Sequence, residues 1–173
     1  MRPDPISISA ACGAAALAAL ASAMGAEARG APRKLRLPDE GDEALALSVA
    51  ADTANGQQEM VYASTALGWL CLYDLRQGDC AMKSRLSECE EATSVQVHPK
   101  DPNTMYVSLE KDIHVLDARR LEGTMAKLES CTDAINQIVV NADGDFLASA
   151  DDSGEVRVTD LKGRKTFKRM KNG

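Results

Sequence analysis

The sequence predicts an all-β fold of repeated four-stranded units, and three observations lead to that prediction. Segments that end in an aspartate recur with a spacing of 43 residues, at Asp74, Asp117 and Asp160. Each aspartate follows aliphatic residues at matching positions and stands two positions before a basic residue. Short apolar runs separated by turn residues fill the rest of each unit. Four strands in roughly 43 residues form the unit of a β-propeller blade.

The first two strands of each unit are predicted from short apolar or β-branched runs. The first strands are expected at 44–49, 93–97 and 135–140. A turn follows each of them, and the clearest turn is 141–144, because Asn, Asp and Gly tolerate the backbone angles of a hairpin. The second strands are expected at 60–64, 105–108 and 146–150.

The third strand of each unit is the run that ends at the repeated aspartate. Its sequence is almost continuously apolar, which is typical of a strand covered on both faces. The fourth strands are more polar, as the exposed outer edge of a blade would be, and are expected at 80–86, 124–128 and 165–170. The predicted blades therefore span about 44–86, 92–128 and 134–171. Three blades cannot close a propeller, which typically has about 4–8 of them.

Residues 1–43 are predicted to be an Ala-rich extension and a charged linker outside the repeats. Twelve of the 22 residues in 10–31 are alanine, and 6–26 carries no charge. Three interpretations stay open: a low-complexity extension with high helix propensity, a cleaved targeting segment with a cleavage site at 21–23, and a membrane span. Alanine is only weakly apolar and serines and glycines interrupt the run, so a membrane span is the least favoured.

Composition and charge restrict the function classes and the compartment. The net charge of -6 and an aromatic content of 3% argue against a nucleic-acid binder, which needs positive charge or stacking surfaces. The five cysteines are odd in number and form no C-x-x-C pair. They favour a reducing compartment, the cytoplasm or nucleus, although an N-terminal targeting segment stays possible. Each cysteine is expected to be a small buried apolar residue.

The search for catalytic and metal-binding motifs predicts no catalytic residue, cofactor or metal. His98 precedes a proline in a predicted turn and His114 lies on a predicted alternating strand, so neither belongs to a helical ligand pair and the sequence offers no zinc site. Asp151 and Asp152 could act as paired carboxylates, but the favoured interpretation is a turn in which aspartate caps the backbone and Gly154 adopts an unusual angle. The basic C-terminal stretch from residue 162 is either an anion-binding or nuclear-import patch or a solvated edge strand.

The stretch from Asp143 to Leu161, DGDFLASADDSGEVRVTDL, resembles a WD-repeat blade, and the likeness extends over about 130 of the 173 residues. The resemblance implies a partial WD-repeat β-propeller that binds proteins. The family's Trp before the repeated aspartate is replaced by Tyr73, Leu116 and Thr159.

The family's Gly-His is missing as well, and Cys89 and Cys131 lie near the expected place of its histidine. Of the hydrogen-bonded network that the resemblance implies inside each blade, only the part between Ser149 and Asp152 could form.

The resemblance also implies a partner. Asp74 and Arg76, and again Asp117 and Arg119, have the Asp-x-Arg form that WD-repeat substrate receptors present to the adaptor of cullin-four ubiquitin ligases. The alternative is an arginine that pairs locally at the end of a strand. Arginine suits either role, because its planar guanidinium makes two parallel hydrogen bonds to a carboxylate.

The function expected from these observations is a non-catalytic protein-interaction scaffold, with a ligase receptor as its more specific form. Two alternatives remain open: a secreted or periplasmic propeller enzyme with a cleaved leader, and a truncated product without independent function. Protein partners are expected, nucleic acid is not, and membrane association is not favoured.

Overall fold

The computed structural model describes residues 37–51, 59–74 and 80–171. The described residues form twelve β-strands with their connections, and no helix occurs among them. Most of the predicted extension, together with Arg76, lies outside the described residues. The strands are β1 (Ala44–Ala51), β2 (Glu59–Thr65), β3 (Trp69–Asp74), β4 (Cys80–Arg85), β5 (Ala92–Val97), β6 (Thr104–Leu109), β7 (Asp112–Asp117), β8 (Thr124–Lys127), β9 (Ile135–Val140), β10 (Phe146–Asp151), β11 (Glu155–Asp160) and β12 (Lys165–Lys171).

The strands form three separate four-stranded sheets, each antiparallel and each in sequence order. We name them blade 1 (β1–β4), blade 2 (β5–β8) and blade 3 (β9–β12). This arrangement confirms the predicted all-β class with three four-stranded units. The predicted division between an extension and a repeat region stays a prediction.

The repeat extends to the irregularities of the sheets. The register between the third and fourth strands shifts at Leu72/Tyr73 in blade 1, at Val115/Leu116 in blade 2 and at Val158/Thr159 in blade 3. Such a bulge bends a strand and increases its twist. The fourth strand of every blade is therefore bent away at the same place, which the 43-residue period already encodes.

Apolar side chains fill the two junctions between successive blades. Between blades 1 and 2, Leu70, Met105 and Leu116 are fully buried. Between blades 2 and 3, Ile113 and Ile138 have the same role. Packing of sheet faces against each other thus holds the three blades in one stack.

The expectation that every third strand is covered on both faces is wrong for β11. In β3, residues Leu70 to Asp74 are all buried. In β11, burial alternates instead, with Arg157 buried and Val156 exposed. The alternation arises because only one face of blade 3 packs against another blade among the described residues.

Candidate protein-interaction surface

Blade 3 leaves one apolar face exposed, which we call the open face. The strand registers place Ala148 opposite both Val139 and Val158, and Ala150 opposite Val156, so these side chains share one side of the sheet. The large apolar residues of the open face are at least one-third exposed: Val139, Phe146, Val156, Phe167 and Met170.

Phe167 is the most exposed of them. Its side chain is 69% exposed, and its ring lies 5.3 Å from the ring of Phe146. Aromatic rings at this separation attract each other beyond the gain from burial. The pair forms a fixed apolar ridge on the open face, of the kind that marks interaction sites on proteins.

Basic side chains border this face along β12. Lys168 pairs with Val158 and therefore belongs to the open face, whereas Arg169 points to the opposite side, with Nε 3.8 Å from Oε1 of Glu155. Of the other basic residues in this stretch, Lys162, Arg164 and Lys165 are exposed as well. A solvated, basic edge strand is consistent with either sequence-based interpretation of this stretch.

On the opposite face of blade 3, the carboxylate of Asp151 links the connection from blade 2 to the turn that follows β10. One carboxylate oxygen accepts hydrogen bonds from the backbone N–H of Thr132 (3.2 Å) and Asp133 (3.3 Å). The other accepts from the Ser153 hydroxyl (2.6 Å) and from the backbone N–H of Ser153 and Glu155. Burial alone would raise the pKa of Asp151, but these hydrogen bonds outweigh it and lower the pKa.

The hydrogen bonds of Asp151 thus hold the turn at 151–154. Gly154 has a φ of 75°, and a Cβ there would meet nothing within 4 Å. Asp152 is exposed and accepts a hydrogen bond from the side-chain amide of Asn136 at 2.7 Å. Asp151 is bound by backbone donors while Asp152 faces solvent, so the arrangement favours backbone capping over shared acid–base chemistry.

Ser149 and Asp152 have separate partners. The Ser149 hydroxyl lies 3.3 Å from the Cys131 sulfur, in the buried junction with blade 2. The Ser–Asp pair that the sequence suggested is therefore replaced.

Sequence reasoning missed a buried ion pair beside this turn. Arg157 is 3% exposed, and its Nη2 lies 3.0 Å from Oε1 of Glu155. Its Nη1 also donates to the backbone carbonyl oxygen of Ser130, in the connection between blades 2 and 3. The signal was present in the sequence, because residues two apart in a strand share a face and Glu155 and Arg157 have opposite charges.

The Arg157 guanidinium, together with the Thr132 hydroxyl, lowers the pKa of Glu155 against the opposing effect of burial. The carboxylate of Asp151 and the guanidinium of Arg157 thus hold the same connection, 129–133, against blade 3. This network determines how blade 3 meets blade 2, and so where the open face lies.

In the second Asp-x-Arg pair, Arg119 binds the carboxylate of Asp117. Nη2 of Arg119 lies 2.7 Å from Oδ2 of Asp117, and Nε lies 3.0 Å from Oδ1. This pairing lowers the pKa of Asp117 to about 2. The Arg119 side chain is 68% exposed, so the pair lies at the surface. In the first pair, Asp74 is buried, and Arg76 lies outside the described residues.

The cysteines divide into two groups. Cys71 and Cys131 are buried, as expected, but Cys80 and Cys89 are exposed, so the expectation of burial is wrong for them. Both stand where the local sequence is polar, in the outer strand β4 and in the connection to blade 2. All four are free thiols; Cys12 lies outside the described residues.

His98 holds two hairpins together. Its Nε2 lies 3.0 Å from the backbone oxygen of Gly144, and Nδ1 accepts from the backbone N–H of Asp101 at 3.0 Å. Within the described part of the chain, no group of three or more His, Cys, Asp or Glu side chains is placed to hold a metal ion.

Comparison with known proteins shows the fold. The β-propeller domain of Cps50 (Swd1) from Myceliophteria thermophila superposes with a TM-score of 0.66 at 19% identity, over 83% of this chain and 46% of that chain. A chain of the COPII outer coat vertex on membranes has a TM-score of 0.65 at 14% identity, over 79% of this chain and 37% of the other. A chain of the COPII coat assembled on membranes gives the same TM-score and identity, with 79% and 21% covered.

No protein-family model matches the chain. At these identities the likeness establishes the architecture, a partial β-propeller, and confirms the predicted fold class. The chain spans less than half the length of each of these structures. In the part of the chain that the structure describes, no helix is long and apolar enough to cross a membrane.

Proposed function

We propose that this chain is a non-catalytic protein-interaction scaffold of the WD-repeat type, and that the open face of blade 3 is where a protein partner binds. The observation that carries the proposal is the exposed apolar ridge of Phe146 and Phe167, continued by Val156 and Met170. An exposed apolar surface with a basic edge offers both buried area and orientation to a partner.

The partner that fits is a protein with an apolar β-sheet face and acidic residues at its border. The junctions between blades 1 and 2 and between blades 2 and 3 are packed sheet on sheet, with branched aliphatic side chains on both sides. The open face offers the same flat, alternating surface. Lys168 and the neighbouring basic residues of β12 would meet acidic groups, which would fix the register of docking.

The test is affinity purification followed by reconstitution with the purified partner. A Phe167→Ser/Met170→Ser variant should lose the partner, with a drop in affinity of at least about tenfold, because two exposed apolar anchors are removed. Met125→Ser is the matched control: Met125 is 56% exposed but belongs to blade 2. Equal binding by the double variant and by the control would refute the proposal.

A separate variant tests the positive charge of the edge strand β12. Lys168→Glu should slow association with an acidic partner, and the effect should fade at high salt, because screening weakens exposed charges. An association rate that does not depend on salt, in both the natural chain and the variant, would contradict an acidic border on the partner.

As a more specific form of this function, we propose a substrate receptor for the adaptor of cullin-four ubiquitin ligases. The support is the resemblance, because residues 93–170 resemble the opening blades of WD repeat-containing protein 53, and the exposed Asp117–Arg119 pair. Part of the guanidinium already binds Asp117, so an adaptor carboxylate would have to share it.

Co-precipitation with the purified adaptor tests the ligase proposal. The Arg76→Ala/Arg119→Ala variant should lose capture, while a circular-dichroism melt should show that it remains folded. Arg120→Ala, next to Arg119 and also exposed, is the control. Undiminished capture by the folded double variant would remove these arginines from the mechanism, and absence of capture by the natural chain would end the ligase proposal.

We propose the cytoplasm or nucleus as the compartment, in line with the odd cysteine count. Mass spectrometry of the mature N-terminus distinguishes this from export. Cleavage near residues 21–23 would favour the rival, a secreted or periplasmic propeller enzyme.

A further inference from the structure

The outer strand of blade 3 differs from those of blades 1 and 2 in the partners of its basic side chains. In blade 1, Lys83 and Arg85 of β4 lie over the ring of Trp69, at 5.3 Å and 5.7 Å from its centroid. In blade 2, Lys127 of β8 binds the carboxylate of Asp112 at 2.8 Å. The basic residues of these two strands therefore have partners within their own blade.

The lysines of β12 have no such partners. Lys165, Lys168 and Lys171 are exposed, and none of them has a carboxylate at ion-pair distance among the described residues. Arg169 approaches the Glu155 carboxylate at 3.8 Å, from a side chain that is 57% exposed. A chain with a net charge of -6 thus concentrates unpaired positive charge on one strand.

The strand β12 is also a free edge of its sheet. Blade 3 has the order β12-β11-β10-β9, so β12 has a neighbouring strand on one side only among the described residues. An edge strand presents backbone N–H and C=O groups that another strand can bind. β12 has seven residues, compared with six in β4 and four in β8. It is the longest of the three outer strands, and its last residues, 168–171, pair in unbroken register with β11.

A carboxylate of this chain already binds near the start of β12. The carboxylate of Glu129 accepts a hydrogen bond from the backbone N–H of Thr166 at 3.2 Å and another from the Thr166 hydroxyl. These bonds, first that of the hydroxyl and then that of the backbone, lower the pKa of Glu129. The strand thus holds an acidic group through its backbone as well as through its charge.

We propose that β12 binds an extended acidic segment of a partner protein, which adds to blade 3 as a fifth strand. Backbone hydrogen bonds supply the pairing, and the unpaired lysines select glutamate or aspartate on the added strand. Pairing of β12 with β12 of a second copy is disfavoured, because like charges directly opposite each other destabilise a sheet. The inference uses the strand edge and not the apolar open face, so it does not depend on the proposed function.

The probe is an acetylated and amidated heptapeptide of alternating glutamate and valine, titrated into the full chain. Nuclear magnetic resonance measures amide hydrogen exchange in β12. An antiparallel strand directs every second N–H group to one edge, so binding should slow exchange of alternate amides in 168–171 at least about tenfold. The same peptide methylated at every backbone nitrogen keeps its charge but cannot pair as a strand, and it should give no protection.

Two variants with matched charge test the selection of acidic residues. Arg169→Gln/Lys171→Gln removes two positive charges from the side of β12 that lies opposite the open face. It should weaken binding of the peptide roughly fivefold, because each exposed ion pair contributes only a little, and the loss should vanish at high salt. Lys100→Gln/Lys111→Gln removes the same charge from exposed positions of blade 2 and should bind the peptide as the natural chain does.

The proposal is overturned by binding without protection of alternate amides, by equal binding of the methylated peptide, or by an equal loss in both charge variants. Val139→Ser changes the open face on β9, at the far side of the sheet, and should leave binding of the peptide unchanged. Loss of the peptide in Val139→Ser would place it on the open face and overturn the edge site. If the peptide does not bind a chain that still captures a partner on its open face, this inference fails and the proposed function stands.

Discussion

The guanidinium of Arg157 lies between the Glu155 carboxylate and the backbone of the connection from blade 2, and its side chain is almost fully buried. Arg169 approaches the same carboxylate, at 3.8 Å, from a side chain that is 57% exposed. The two arginines share an ion-pair partner and differ in burial. Comparing them separates the effect of burial from that of charge.

Arg157→Met should destabilise the fold by roughly 3 kcal/mol, because the change leaves buried carbonyl and carboxylate oxygens without a donor. Arg169→Met should cost less than about 1 kcal/mol, since an exposed pair contributes little. Urea unfolding monitored by circular dichroism measures both changes. Equal effects would mean that Arg157 does not hold the connection.

The Asp117–Arg119 pair predicts a pH dependence at the surface. Because hydrogen bonds from Arg119 hold the folded pKa of Asp117 at about 2, below its ordinary value, the pair's stabilising effect is complete above about pH 4. It is lost as the pH falls through 2. In Arg119→Ala, an NMR titration should show the pKa of Asp117 rising towards its ordinary range, whereas Arg120→Ala should move it much less. An unchanged pKa in Arg119→Ala would refute the pairing in solution.

At the scale of elements, the sequence predicted the strands but not their environment. The 43-residue period located all twelve strands, because apolar runs and turn residues are local signals. It could not predict that β11 is buried on one face, since this depends on which blade packs there. The Asp151–Thr132 contact spans 19 residues, and the Arg157–Ser130 contact spans 27. Such partners depend on the path of the connection, which has no local pattern.

The sequence predicted only the part of the candidate site that depends on local signals. The turn residues Asp151 and Gly154 were recognised because turn chemistry is local. The ridge of Phe146 and Phe167 was missed, although both residues were assigned to strands. Exposure of a strand face depends on neighbouring sheets, and no pattern within one blade reports it.

Substitution of two glycines tests the turns between the second and third strands of blades 1 and 3. Gly68 and Gly154 both have a φ of 75°, where an L-residue costs about 1–2 kcal/mol. A Cβ at Gly68 would also meet backbone oxygens, that of Ser87 and, at 2.8 Å, that of Glu90, whereas a Cβ at Gly154 meets open space. Gly68→Ala should therefore cost at least about 3 kcal/mol, and Gly154→Ala only about 1 kcal/mol. Thermal unfolding measures both changes. Equal melting temperatures would show that the backbone at 87–90 moves to make room for the added Cβ.

At the scale of the whole molecule, the stack of blades has two ends with opposite properties. The side of blade 1 that carries Val61 and Cys71 is buried, while the open face of blade 3 carries Phe167 at 69% exposure. Every internal junction is a sheet packed on a sheet, so an uncovered end is a surface that another sheet fits. An apolar sheet face that is left in water favours association with another sheet.

The open end therefore predicts self-association when no partner is present. At rising concentration the natural chain should form larger species in sedimentation velocity, because an exposed apolar sheet face is a template for association. Phe146→Ser/Phe167→Ser should shift these species back towards the monomer, while Met125→Ser, at a similarly exposed position of blade 2, should not. Loss of the ring pair should lower the free energy of unfolding of the double variant by about 0.5–1.5 kcal/mol, and a circular-dichroism melt checks that the variant stays folded. If the double variant associates as strongly as the natural chain, the contact lies elsewhere. The edge of β12 would then be the surface to test, since this strand has no neighbouring strand on its outer side among the described residues.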